Sequence, residues 1–142
     1  MEADTNAEDQ RGNRRENEAA VILARNGFRT YQRPFPEEIA AARAATGDVG
    51  NPTRKPDYLI EGFVWDCYSP LANKSTRGVW TKAKEKVDLG QTQRVVLNLE
   101  DWGDNVEALR RQFADWAIDG LKEVMAITNG QVVPIWNIWG EQ

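Results

Sequence analysis

Two apolar runs, "YLI" and "FVWDCY", meet at Glu61-Gly62 within the stretch from Lys55 to Pro70, and no other feature restricts the chain as much. Short apolar runs parted by a glycine and closed by Pro70 predict two strands, Tyr58 to Ile60 and Phe63 to Tyr68, turned into a hairpin. Each run carries an aspartate where a buried strand tolerates one poorly: Asp57 just before the first, Asp66 inside the second. Alternation puts Asp66 on the face of Val64 and Tyr68, while Trp65 and Cys67 point the other way. An acid there needs a partner charge, hydrogen bonds or a metal. Counting outward from the turn, a bulge or stagger is expected to bring Asp57 alongside Asp66. Two converging carboxylates with no assured cation suit a hard divalent ion such as Mg²⁺.

The flanking pattern supplies the rest of a sheet and its cover. "RRENEAAVILARN" sets Ala19, Ala20, Leu23 and Ala24 on a helical stripe stopped by Asn26-Gly27. "FRTYQR" alternates as a strand closed by Pro34 and Pro36, and "EEIAAARAA" reads as a short helix ending at Thr46-Gly47. Val79, Trp80, Ala83 and Val87 share one helical face, and Val106, Leu109, Phe113, Trp116 and Ala117 share another. "RVVLNL" between them is the apolar run of a strand covered on both sides. "VMAI" and "VVPIW", parted by Asn129-Gly130, predict a final hairpin. The expected architecture is therefore α/β, a single domain with a mixed central sheet flanked by helices. With 142 residues, 41% of them hydrophobic, one core is what the chain can support. Residues 1–12 lack apolar periodicity and are expected as a flexible lead-in to a domain over 13–142.

Composition narrows the chemistry. There is no histidine and one cysteine, Cys67, which removes the commonest general base, a disulfide framework and any multi-cysteine zinc site. A lone thiol without an imidazole is a poor nucleophile. No apolar run is long enough to span a membrane, and the polar N-terminus contains no export signal. The net charge is −4, yet residues 51–95 hold eight basic residues (Arg54, Lys55, Lys74, Arg77, Lys82, Lys84, Lys86, Arg94) against five acidic ones (Asp57, Glu61, Asp66, Glu85, Asp88). That segment is the place to seek contact with a polyanion.

The hairpin resembles the central motif of the PD-(D/E)XK nuclease superfamily: Pro56-Asp57, a spacer, then Asp66, Cys67 and a position usually held by lysine. Helix one matches that superfamily too, with Glu16, Ala19, Leu23, Gly27 and Phe28 at its characteristic offsets. More narrowly, "RENEAAVILARNGF", "KPDYLIEGFVWDCYSP", "KVDLGQTQRVVLNL" and "LRRQFADWAIDGLKEVMAITNG" together resemble the C-terminal toxin domains of contact-dependent growth inhibition systems described as tRNA nucleases. The likeness runs from about Arg14 to Ile135.

What the resemblance implies is a PD-(D/E)XK-like core and metal-assisted phosphodiester hydrolysis. Glu16, Asp57, Asp66 and the Cys67 carbonyl would hold Mg²⁺ or another divalent ion such as Mn²⁺. Tyr68 occupies the usual lysine place, so the cation must come from the following helix, where Lys82, Lys84 and Lys86 stand. Lys86, on the side of Val79 and Ala83, is the foremost candidate; Lys84 lies nearer the Trp80 edge, and Lys82 shares a face with Lys86. Arg54, Lys55, Lys82 and Gln91 are candidate nucleic-acid contacts. The implied substrate is RNA, specifically tRNA, and the implied partner a cognate immunity protein. The implied setting is a larger exported toxin delivered to a target cell, acting in its cytoplasm. Two alternatives stay open: a DNA endonuclease of the same fold, and an inactive nucleic-acid- or protein-binding member in which Tyr68 marks a lost site. Each residue also has an ordinary structural reading. Asp57 after proline caps turns, Glu16 favours a first helical turn, and a lysine cluster commonly forms a solvated face.

Overall fold

The hairpin is present with its expected bounds, and its geometry sets everything around it. A computed structural model describes residues 2–103 and 105–140, with side chains from residue 7 onward. The chain runs α1 (Glu2–Arg25), β1 (Thr30–Gln32), α2 (Pro36–Thr46), β2 (Tyr58–Ile60), β3 (Phe63–Tyr68), α3 (Thr76–Asp88), β4 (Arg94–Asn98), α4 (Val106–Asp115), β5 (Glu123–Thr128) and β6 (Gln131–Asn137). The six strands form one sheet in chain order. β3, β4 and β5 are parallel in its centre, and antiparallel neighbours flank them on both sides. The two parallel steps cross over through α3 and α4, as parallel strands require.

The sheet is covered on both faces. Val79 and Ala83 of α3 and Leu109 and Phe113 of α4 pack on Val95, Leu97, Val124 and Ala126. Ala19 and Leu23 of α1 pack on the opposite face, against Tyr58, Ile60, Trp65, Val96 and Met125. Successive residues of β4 thus enter different cores, which is why all five of its positions are buried.

The turn between β2 and β3 has positive φ at both central residues, 52° at Glu61 and 82° at Gly62, the two-residue turn whose twist suits a hairpin. Glutamate rarely adopts that conformation. Here its carboxylate accepts from the Arg29 amide at 2.6 Å and pairs with the Arg29 guanidinium at 3.2 Å. The register pairs Tyr58 with Trp65 and Ile60 with Phe63, and one step further sets Asp57 opposite Asp66. No bulge is involved, contrary to expectation; the bulge in this sheet lies between β5 and β6, at Val124/Met125, where Pro134 on the edge strand cannot donate to the ladder.

Three other features depart from the sequence reading. α4 ends at Asp115, so Trp116 and Ala117 fall beyond the helix and are exposed. Trp116 instead meets the edge of Trp80 at 5.3 Å and stacks under Arg77. Ala24 is exposed as well, at the end of its stripe. Residues 2–12, expected as a lead-in, are helical, and Arg11 within them donates to the Ser69 carbonyl and pairs with Asp101; Met1 lies outside the described residues.

A buried ionic network escapes sequence reading altogether. Asp48 accepts from Arg94 Nε at 2.8 Å and Lys122 Nζ at 2.7 Å, and Arg94 also pairs with Glu123 and lies over the Phe63 ring at 4.2 Å. Burial opposes the Asp48 charge, but Arg94 and Lys122 outweigh it and lower its pKa. The network anchors the loop after α2, and that loop meets the end of α3 where the Asn51 amide donates to the Gly90 carbonyl at 2.9 Å. Gly90 has φ 76°, and a Cβ there would stand 2.8 Å from the Asn51 backbone nitrogen. Gly90→Ala is therefore expected to lower stability by on the order of 2 kcal/mol, from left-handed strain plus the clash. Urea denaturation measures it, and an unchanged midpoint would show that the loop is not held against α3.

Candidate active site

The hairpin register delivers two carboxylates to one place. The Asp57 amide donates to Asp66 Oδ1 at 2.9 Å, and the Cys67 amide donates to Asp57 Oδ2 at 2.8 Å. Each acid is therefore oriented by the backbone of the opposite strand. Asp66 is 2% exposed. Its charge is answered from α3, where Lys86 Nζ lies 2.5 Å from Asp66 Oδ2. Gln91, just past the end of that helix, spans Asp66 Oδ1 at 3.4 Å and the Lys55 carbonyl at 2.7 Å. A cleft of about 550 Å³ opens onto this cluster, lined by Asp57, Asp66, Tyr68, Lys86 and Gln91 and, from α1, by Arg11 and Glu16.

Glu16 reaches the cleft because α1 is tied to the hairpin. The Tyr58 hydroxyl donates to the Glu16 carbonyl at 2.6 Å. Arg15, one residue before, makes paired bonds of 2.8 and 2.9 Å to Asp101, fixing the rotation of the helix about its axis. The Glu16 carboxylate accepts from Gln32 Nε2 at 3.0 Å and faces Arg33 at 3.4 Å. Sequence reading missed Gln32 and Arg33 as its partners. Nothing in "TYQR" distinguishes them until β1 pairs with β2 and sets Gln32 beside Tyr58.

Electrostatics follow from crowding. Burial, and then the adjacent Asp66 carboxylate, push Asp57 up to about 9. Asp57 therefore favours its protonated form at neutral pH. Burial alone would lower the Lys86 pKa, but Asp66 and Asp57 outweigh it and raise it, so the ammonium stays charged. Burial pushes the Cys67 thiol up to about 12. It is no nucleophile, and its contribution is through the backbone.

The structure brings Glu16, Asp57, Asp66, Cys67, Lys86 and Gln91 together and leaves the other candidates outside. Lys84 pairs with Asp88 at 2.6 Å and Lys82 with Glu85 at 3.4 Å, both on the outer side of α3. Four residues separate Lys82 from Lys86, yet only Lys86 reaches Asp66. Arg54 and Lys55 are exposed, and Lys55 touches the cluster only through its carbonyl.

The donor set fits a hard cation in part. Two abutting carboxylates, one of them pushed toward protonation by burial and then by its neighbour, are what a divalent ion would relieve. Among the described residues no three acidic or thiol side chains surround a common point, because Glu16 is turned to Gln32 and Arg33.

Comparison with known proteins accords with this geometry. Residues 54–133 match the family model described as "Contact-dependent growth inhibition CdiA C-terminal domain". Over 113 residues, 80% of the chain, the sequence is 34% identical to a Burkholderia pseudomallei (strain 1026b) protein named "tRNA nuclease CdiA-2". The chain spans only 3% of that much longer relative. A toxin chain in a solved "CdiA-CT/CdiI toxin and immunity complex from Burkholderia pseudomallei" superposes with a TM-score of 0.72 at 31% identity, over 88% of this chain and 84% of that one.

The raised Asp57 pKa has a consequence for stability. Its folded value lies above the ordinary aspartate value of about 3.9, so the folded state keeps a proton that the unfolded chain has released. The associated stability is complete below about pH 4 and is lost as pH rises toward about 9. Asp57→Asn, which retains an acceptor for the Cys67 amide, is expected to exceed the wild type in stability at pH 8 by about 3 kcal/mol, the difference closing near pH 4. Parallel pH–stability curves for the two proteins would show that the Asp57 pKa is not raised in the folded state.

Proposed function

Because the chain belongs to the contact-dependent growth inhibition CdiA C-terminal domains, we propose that it is a metal-dependent ribonuclease toxin domain that hydrolyses phosphodiester bonds in tRNA. The observation carrying this reading is the Asp57–Asp66–Lys86 cluster at the floor of an open cleft. The 34% identity to a protein named a tRNA nuclease supports the choice of substrate.

Asp57 and Asp66, with the Cys67 carbonyl, would hold Mg²⁺ or Mn²⁺, and Glu16 would join them on leaving Gln32 and Arg33. The ion would supply an activated water and neutralise charge on the phosphate. The remaining work falls to the chain. Lys86, charged and half-sheltered beside Asp66, stands where it can bind a non-bridging phosphate oxygen as attack by water adds negative charge there. It thus takes the part of the lysine that Tyr68 replaces in the strand. Gln91, fixed by the Lys55 carbonyl, keeps the Asp66 carboxylate in place. Water attacks phosphorus, the bond to the leaving sugar oxygen breaks, and that oxygen departs with a proton from solvent.

The solved toxin superposes on this chain from a complex with its immunity protein, and a tightly binding cognate immunity protein is proposed here as well. The small share of the relative that the chain spans accords with a domain carried by a larger exported protein, delivered to a target cell and acting in its cytoplasm. No described helix is long and apolar enough to cross a membrane.

Incubation with total tRNA and with plasmid DNA, in Mg²⁺ or EDTA, tests the proposal. Metal-dependent loss of tRNA is expected, slowed by roughly 10²–10³-fold or more in Asp66→Asn and by about 10²-fold in Lys86→Ala. Lys84→Ala, on the outer face of α3, is expected to stay within about twofold of wild type, since exposed pairs there contribute little. DNA cleavage with tRNA spared would reassign the substrate. Undiminished cutting by Asp66→Asn would remove the cluster from the chemistry.

A further inference from the structure

We propose that a second cavity, built beside the acidic cleft by Tyr68, Leu71, Asn73 and Lys74, is the subsite that holds the nucleotide adjacent to the scissile phosphate. The inference rests on the nuclease reading above for the identity of its ligand. The cavity measures about 280 Å³, roughly the room one nucleotide unit needs, and lies between the first half of α1 and the β3–α3 loop. It shares Arg11, Tyr68 and Ser69 with the cleft. A strand whose phosphate lies at Lys86 therefore continues past Tyr68 into this space.

The lining has the three kinds of group a single-stranded nucleotide engages. Leu71 is 57% exposed and offers an apolar ledge beside the Tyr68 ring, against which a base can lie. Asn73 carries both donors and an acceptor for a base edge. Lys74 supplies a cation for a phosphate or its sugar. Lys82, Lys84 and Lys86 each have a carboxylate partner. By contrast, neither the Lys74 ammonium nor the Tyr68 hydroxyl has a hydrogen bond or ion pair among the described residues.

The loop that bears these groups is held in place. The Lys74 amide donates to the Leu71 carbonyl at 3.1 Å, and the Lys74 carbonyl accepts from the buried Trp102 indole at 2.7 Å. Arg11 donates to the Ser69 carbonyl at 3.0 Å and is itself fixed by Asp101. The Lys74 stem lies along the first turn of α3, where a Cβ on Gly78 would come within 2.9 Å of Lys74 Cδ. Glycine at that point leaves the stem its path. A preformed wall of this kind lowers the ordering cost of binding. Glu8 borders both spaces, and its charge opposes a phosphate placed beside it.

Tyr68 then has a role that its place in the hairpin motif obscures. It stands on the same face of β3 as Asp66 and marks the boundary between the reaction cleft and the flanking subsite. It is a substrate-positioning residue, with Lys86 carrying the charge.

The test reads binding apart from cleavage. The ¹⁵N-labelled domain is titrated in EDTA with adenosine and cytidine 5′-monophosphates. Saturable shifts are expected at the Leu71, Asn73 and Lys74 amides, with affinity falling about tenfold in Lys74→Ala, the loss of one charge-assisted contact. Shifts confined to Arg54 and Lys55, shifts unaltered by Lys74→Ala, or no saturable shift would each overturn the subsite. Steady-state cleavage of tRNA is then followed. Lys74→Ala and Tyr68→Phe are expected to raise KM about tenfold while kcat stays within about threefold. A fall in kcat at unchanged KM would overturn the positioning role. Nucleotide binding at these amides without any RNA cleavage would instead count against the nuclease reading and leave the subsite standing.

Discussion

The burial of Asp57 and Asp66 against one another is the constraint on which the rest of the structure depends. A two-residue turn fixes the hairpin register, and the register leaves the two carboxylates facing one another in a buried setting. The surrounding elements each answer some part of that charge. Backbone amides of residues 57 and 67 donate to the opposite acid, α3 brings Lys86, and the turn into β4 brings Gln91. Even so, Asp57 is left with its proton. The site is electrostatically incomplete by itself, which is the condition for binding a cation or a substrate with a gain in free energy.

Holding such a cluster requires rigid surroundings, and two polar networks away from it supply them. Arg11 and Arg15 bind Asp101 and the carbonyl of Ser69, fastening α1 across the ends of β3 and β4. Asp48, Arg94, Lys122 and Glu123 fasten the loop after α2 to the starts of β4 and β5. The buried Asp48–Arg94 pair contributes less to net stability than to uniqueness, because each charge is costly in any arrangement but the one that pairs it. Glu16 is the exception within the site. Its backbone is fixed by Tyr58, whereas its carboxylate rests on Gln32 and the exposed Arg33.

Much of the fold was legible because it depends on periodicity, a local property. The hairpin, the doubly buried β4, the stripes of α1 and α3 and the Asn129-Gly130 turn all follow from residue spacing and turn chemistry. The acids Asp57 and Asp66 stood out for the same reason, as charges in apolar strands. Where the reading slipped, a helix ended or a register was set by something distant. Trp116 and Ala117 continue the stripe of α4 in sequence, but the helix stops at Asp115 and Trp116 turns to Trp80. Among Lys82, Lys84 and Lys86, the helical face shared with Val79 and Ala83 already pointed to the last, and α3 sets it against Asp66.

The sequence by itself determined the elements, the paired aspartates and the exclusion of histidine and multi-cysteine chemistry, since each rests on residue type and on spacings within one element. Its resemblance to a toxin family also agrees with the relatives found for the chain. The tertiary structure alone decided where the Glu16 carboxylate rests and that Tyr68 lies between two cavities. These are relations between side chains on different elements, fixed by helix docking and by part-buried ion pairs whose partners lie up to 90 residues apart, and no local pattern encodes a distance of that kind.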